Sequence, residues 1–284
     1  MSRPLKAVVA VEALPRHQMT PSFFSWSLRG TLAGRSLDPF LNLDHFHMTQ
    51  PTFPPHPHAG FSAVTYLFED SLGAFRNRDS TGNTQLIEPG ALHWTEAASG
   101  VVHEEVPVVP GVDSHGLQMF VNLPVEQHAQ PPRALHLDPK EIVEVRPSPG
   151  VRIRVLAGAF DGKTSTLAVV PALTFLDVHL APRSEVLLPA QAGQTAFAMA
   201  IAGSGLAGNE SSLSAHQGAL FDTADGLMRL ATMDTPLQAL VGVGTPLGQP
   251  VVWSGPFALT SQAAIVDARK RFASGGMGHL APSF

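Results

Sequence analysis

The chain has 284 residues, enough for two average domains at roughly 150 residues each or for one large β domain. Apolar residues make up 44% and charged ones only 14%, which supports a packed core and excludes an intrinsically disordered chain. Lys plus Arg number 18 against 23 for Asp plus Glu, so a formal charge of −5 argues against a surface that coats nucleic acid. The absence of cysteine excludes disulfide scaffolds, thiolate metal sites and cysteine nucleophiles, leaving His, Asp, Glu or backbone to hold any metal.

Near the N-terminus, the short apolar stretch from Ala7 to Val11 is broken by Glu12 and Pro15 before it reaches the length of a signal-peptide core. The longest later apolar run, Ala196 to Ala202, falls far short of the roughly 20 residues that cross a bilayer. A cytoplasmic protein without membrane contact is the expectation. Twenty-five glycines and twenty-five prolines spread along the chain punctuate many short elements. Between them the apolar pattern has period two, predicting strands at Ser62–Phe68, around Leu117–Leu123, at Val151–Val155, Leu173–Leu180, Thr195–Ile201, Leu227–Leu230 and Leu237–Val243. A proline-dense stretch from Pro124 to Pro149 divides the chain, and the economical reading is two β domains, 1–130 and 131–284. One helix is expected near the end. Ile265, Ala268 and Phe272 share a face, Thr260 or Ser261 caps it, and Gly275-Gly276 stops it.

The segment Pro54-Pro55-His56-Pro57-His58-Ala59-Gly60-Phe61 leads into a strand. On an extended chain, His56 and His58 point to the same side. His103 and Glu105 have the same spacing further on, so three imidazoles and one carboxylate from two strands make a four-ligand set. Such a set suits Fe(II), Mn, Ni, Cu or Zn. Chance alone gives roughly 0.6 His-x-His pairs in a chain with this many histidines, and His45-Phe46-His47 is another, so spacing suggests the site without establishing it.

Pro39-Phe40-Leu41-Asn42-Leu43-Asp44-His45-Phe46 is followed by Phe53–Phe61, then by Val64-Thr65-Tyr66-Leu67, Arg78-Asp79-Ser80-Thr81-Gly82-Asn83, Trp94-Thr95, His103-Glu104-Glu105, His115-Gly116-Leu117-Gln118 and Val121-Asn122-Leu123-Pro124. In this order the motifs resemble those of the pirin family. Residues 38–124 carry the dense part of the pattern. The C-terminal part matches more thinly, through Gly244-Thr245-Pro246-Leu247 and Gly255-Pro256-Phe257.

This resemblance implies an all-β bicupin fold, two tandem jelly-roll-like barrels with a short C-terminal helix. It implies a mononuclear Fe(II) on His56, His58, His103 and Glu105, with another divalent transition metal as the alternative, and a second barrel that is metal-free. The implied activity is that of a quercetin 2,3-dioxygenase, opening a flavonol-like aromatic, enolisable substrate with O₂, with Glu105 as catalytic base. The alternative is a non-enzymatic, iron-dependent regulatory module that binds a protein partner. Phe46, Phe53, Trp94 and Phe120 are candidates to line the substrate pocket, and His45 and His115, which lie in family motifs, are candidates to support the ligands. His47 and His93 read as ordinary polar residues. The chain departs from the family at Ser62, where a Glu is usual, at Ala59, often Arg, and at Asn77, usually His. Ser62 is therefore expected beside the metal, with an altered hydrogen bond to a ligand.

Overall fold

The computed structural model describes residues 3–284, and they fold into two compact units whose segments interleave along the chain. One unit comprises residues up to 15, 28–39 and 142–246; the other comprises 16–27, 40–141 and 247–284. The consecutive division expected from the prolines thus gives way to an exchange of chain ends. The strand Val8–Ala13 pairs antiparallel with Gln217–Phe221, so the beginning of the chain belongs to the later unit. The end of the chain, conversely, belongs to the earlier one. The chain passes from one unit to the other after residue 141 and not at 130, since Arg133–Leu137 pairs with Leu92–Glu96 while Val143–Val145 pairs with the strand Val151–Ala157. Proline counts carry no information about where the two termini return, since those partnerships are set by strand edges that only the folded sheets create.

The later unit is built on a ten-stranded sheet whose central members are Thr195–Ala207, Leu237–Gly244 and Leu173–Leu180. Alternate residues of these strands, among them Leu176, Val178, Ala196, Ala198, Ala239 and Val241, make one apolar core.

The earlier unit places two antiparallel sheets face to face. One has seven strands, in the order Arg133–Leu137, Leu92–Glu96, Phe61–Leu67, Ser114–Asn122, Phe40–Met48, Phe23–Leu28 and Arg16–Thr20. The other has four, Thr84–Ile87, Phe75–Asp79, Val101–Pro107 and His56–His58. Phe23, Phe46, Leu67, Phe75 and Ile87 close one part of the space between them with apolar side chains. Every residue of Phe61–Leu67 and of Val101–Pro107 is buried, so neither strand shows the alternation of a half-exposed one.

The expected helix forms at Gln262–Ala273, with Ser261 accepting a hydrogen bond from the Ala264 N–H as its cap. Ile265 and Ala268 are buried and pack with Ala59, Val102, Phe257, Leu259 and Met277. Phe272, expected on the same face, is instead 42% exposed, because the helix ends one residue later and nothing covers its last turn. Gly275 adopts φ 79°, and the Gly276 N–H returns to the Arg271 carbonyl, which terminates the helix.

Gly60 is the tightest point of this packing. It has φ 88°, and a Cβ there would lie 2.0 Å from the Ala258 carbonyl oxygen. Gly60→Ala is expected to destabilise the protein by about 3 kcal/mol, combining left-handed backbone strain with a backbone clash. A thermal midpoint equal to that of the unchanged chain would show that the C-terminal segment does not press on Gly60.

Candidate metal centre

The strand His56–His58 pairs antiparallel with Val101–Pro107 such that His56 lies opposite His103 and His58 opposite Val101. His56 and His58 are two apart and share a face, and the register adds His103 to it. One ligand nitrogen from each of the three imidazoles lies within 4.8 Å of the others. His58 and His103 are buried, and His56 is partly so.

The orientation of the rings follows from their outer nitrogens. His56 Nδ1–H donates to the Pro54 carbonyl at 2.9 Å, and His58 Nδ1–H donates to the Pro256 carbonyl at 3.2 Å. A carbonyl only accepts, so both rings carry their proton on Nδ1 and keep a lone pair on Nε2. Burial pushes the pKa of all three histidines down, and that of His58 to about 3, so all are neutral at physiological pH. His103 Nδ1 is buried without a hydrogen-bond partner among the described residues. Neutral, oriented imidazoles with an uncompensated buried nitrogen are what a divalent transition ion requires, and the set fits one.

Glu105 lies two residues beyond His103 on the same face, but its carboxylate stands outside the 4.8 Å cluster of ring nitrogens. Its Oε2 instead accepts a hydrogen bond from Thr65 Oγ1 at 2.5 Å, across the gap between the two sheets. Thr65 Oγ1 also sits 2.9 Å from the Gln118 side-chain amide. That amide atom is Oε1, an acceptor, so the one hydroxyl proton goes to Glu105 when the carboxylate is ionised and to Gln118 when a protonated Glu105 donates to Thr65. Burial raises the Glu105 pKa to about 7, against the lowering effect of the Thr65 hydroxyl. The carboxyl is therefore poised to gain or lose a proton near neutrality.

Alternation sorts the remaining candidates. Phe120 lies 5.6 Å from the His58 ring and Phe53 lies 6.4 Å from the His56 ring, centroid to centroid, so both flank the histidines. Phe46 faces the same interior but packs on Phe75 at 5.5 Å, within the apolar filling. Ser62 lies three positions from Thr65, so it faces away from Glu105; it is fully buried and its hydroxyl has no partner among the described residues. Trp94 likewise alternates with His93 and Thr95 and lies on the face turned away from the histidines. His45 and His115 are also on that opposite face, where they meet His47.

Several further groups point into the same interior. Thr65, Gln118 and His93 come from the seven-stranded sheet, while Asn77, opposite Glu105, comes from the other. Asn77 is fully buried with neither amide atom hydrogen-bonded among the described residues. Trp253, on the C-terminal hairpin, lies 5.7 Å from Phe61 and 6.4 Å from Phe120, and it is 46% exposed. The signal for Thr65 and Gln118 was present as strand parity; for Trp253 there was none, because it is brought in by the returning end of the chain.

Buried neutral histidines also set a pH dependence. Burial holds His58 and His93 near pKa 3, below the 6.5 of an unfolded chain. Between those values the unfolded state binds the extra protons, so this stability is complete above pH 6.5 and is lost as pH falls towards 3. At pH 5 the cost is about 2 kcal/mol for each such group. Glu105, raised to about 7, acts in the opposite sense between pH 4.5 and 7, but it is one group against several. Urea midpoints of the metal-free protein are expected to fall steadily from pH 7 to pH 5, and a flat profile would refute the buried, neutral assignment.

Three comparisons bear on identity. The pirin family model matches residues 25–121, and the model of the pirin C-terminal cupin domain matches residues 175–278. A pirin-like protein of Solanum lycopersicum is 34% identical over 247 residues, covering 86% of this chain and 83% of that protein. A Pseudomonas aeruginosa protein named "Putative quercetin 2,3-dioxygenase" is 29% identical over 248 residues, covering 84% of this chain and 86% of that one. The crystal structure of quercetin 2,3-dioxygenase from Acinetobacter baumannii superposes with a TM-score of 0.87 at 24% identity, covering 98% of this chain and 100% of that one, which shows a shared fold. With two cupin domains, strands that carry the motifs in family order and both family models matched, the chain belongs to the pirin family.

Proposed function

We propose that this protein is a metal-dependent dioxygenase of the quercetin 2,3-dioxygenase type, with Fe(II) held by His56, His58 and His103 and completed by Glu105. The observation that carries this reading is the convergence of three neutral imidazoles beside a buried carboxyl whose pKa lies at about 7. The name of the Pseudomonas aeruginosa relative supports the same reaction class.

A flavonol is a planar aromatic enol, and its reaction with O₂ begins by removing the enolic proton. Glu105 Oε2 is the base for that proton, and Thr65 holds the carboxylate in place by donating to it. Phe53 and Phe120 offer ring faces to a planar substrate on either side of the histidines, and Trp253 extends that aromatic wall. Burial of the surrounding strands keeps bulk water from competing for the same proton. A bound divalent iron would supply Lewis acidity and the one-electron chemistry that O₂ requires.

The test is O₂ consumption with quercetin by anaerobically prepared, iron-reconstituted protein, read together with iron content. Wild type is expected to hold near-stoichiometric iron and to consume O₂. His56→Ala should lose both. Glu105→Gln should slow uptake by about 10²- to 10⁴-fold. The rate should rise with pH through the Glu105 ionisation, at or below about pH 7 because a bound cation lowers that pKa. Stoichiometric iron with no uptake from quercetin would overturn the flavonol reading and favour the iron-dependent, partner-binding module.

A further inference from the structure

The sequence pattern His-x-His occurs twice, and the structure builds the same ligand geometry at both places. In the metal centre, His56 and His58 on one strand meet His103, which lies opposite His56 on the antiparallel neighbour. On the strand Phe40–Met48, His45 and His47 again stand two apart, and His115 lies opposite His47 on the neighbour Ser114–Asn122. One ligand nitrogen from each of His45, His47 and His115 lies within 4.8 Å of the others. These three project from the face of the seven-stranded sheet that is turned away from Thr65 and Gln118, so they form a separate set.

Two carboxylates orient the cluster from outside. His115 Nδ1–H donates to Asp70 at 2.8 Å, and His47 Nδ1–H donates to Asp113 at 2.7 Å. Each of these rings therefore keeps its lone pair on Nε2, the arrangement of a carboxylate–histidine–metal site. His45 Nε2 approaches His115 Nε2 to 2.7 Å. Since His115 Nε2 bears the lone pair, His45 supplies the proton in that contact. Moving this proton to His45 Nδ1 frees both facing nitrogens without any net change in charge. The wall is aromatic: Phe68 lies 4.7 Å from the His115 ring, Trp26 lies 5.3 Å from His45, and Phe24 stacks on His47 at 5.0 Å. Arg16 sits 4.2 Å over the Phe24 ring, one cation against the two carboxylates. His45 is buried, whereas the His47 and His115 side chains keep 26% and 13% exposure, so an ion has a route in.

We infer that His45, His47 and His115, oriented by Asp113 and Asp70, form a second metal site that takes a late first-row divalent ion such as zinc, with its remaining position open to water. An all-imidazole set with carboxylates behind it suits Zn, Cu or Ni in preference to Mg or Ca. Nitrogens about 2.0–2.1 Å from a tetrahedral ion stand roughly 3.3 Å apart, so the 2.7 Å contact between His45 and His115 opens slightly when an ion enters.

The experiment is equilibrium dialysis of the full chain against zinc, with metal content measured per chain. Wild type is expected to retain about two equivalents and His47→Ala about one, because the partly exposed His47 lies at the rim of the aromatic wall. A variant lacking the first set, His56→Ala with His103→Ala, should still retain about one and, loaded with Co(II), should show the visible absorption of a low-coordinate cobalt–imidazole site. Asp113→Asn should weaken the second zinc by about ten- to a hundredfold. The inference is overturned if His47→Ala retains as much zinc as wild type, or if the folded His56→Ala, His103→Ala variant retains none. Neither readout involves O₂ or quercetin, so the result stands apart from the dioxygenase reading.

Discussion

One antiparallel register, His56 opposite His103, determines where the chemistry of this protein is placed. Side chains alternate with period two, so a slip of one residue would send His103 and Glu105 to the far side of their sheet and bring Val102 and Glu104 inward. The register is held from both directions. On the interior, Glu105 reaches across to Thr65. On the other face, Glu104 is fully buried, accepts from Arg78 Nε at 2.8 Å and accepts from the Ser283 N–H at 3.3 Å. Adjacent glutamates thus have opposite tasks. Glu105 is left close to neutrality by burial, whereas the Ser283 and Arg78 hydrogen bonds overcome burial at Glu104 and keep it charged. An ionised Glu104 behind the strand also favours a cation on its front.

The same principle explains which parts of the site were legible in advance. His56 could be paired with His58, and His103 with Glu105, because two-residue spacing within a strand needs no knowledge of its neighbours. Their coming together also needed a pairing that spacing does not specify. Ser62 and Trp94 fall on the other face because parity must be counted along their own strands from a residue known to point inward, here Thr65 and His93. Sequence proximity to a ligand is a poor guide in a sheet: four residues along from His58, past a turn at Gly60, the side chain has changed sides. His45 and His115, expected to support the first set, instead lie on the reverse of the sheet with His47.

The fold class was legible from alternation and punctuation, and the predicted strands Leu173–Leu180 and Leu237–Val243 match the observed ones to within a residue. The exchange of chain ends was not. Val8–Ala13 carries a pattern compatible with an edge strand of either unit, and nothing local selects Gln217–Phe221 as its partner. Phe272 shows the same limit at small scale, since a helical face is buried only where another element reaches to cover it.

The hydrogen bond from His58 to the Pro256 carbonyl ties the metal centre to the order in which the polypeptide is made. The three histidines are made first, yet the group that fixes the tautomer of one of them is encoded 198 residues after it. Glu104 depends on a residue farther along still, Ser283. Until Pro256 has been made and folded back, this bond cannot fix which nitrogen His58 presents.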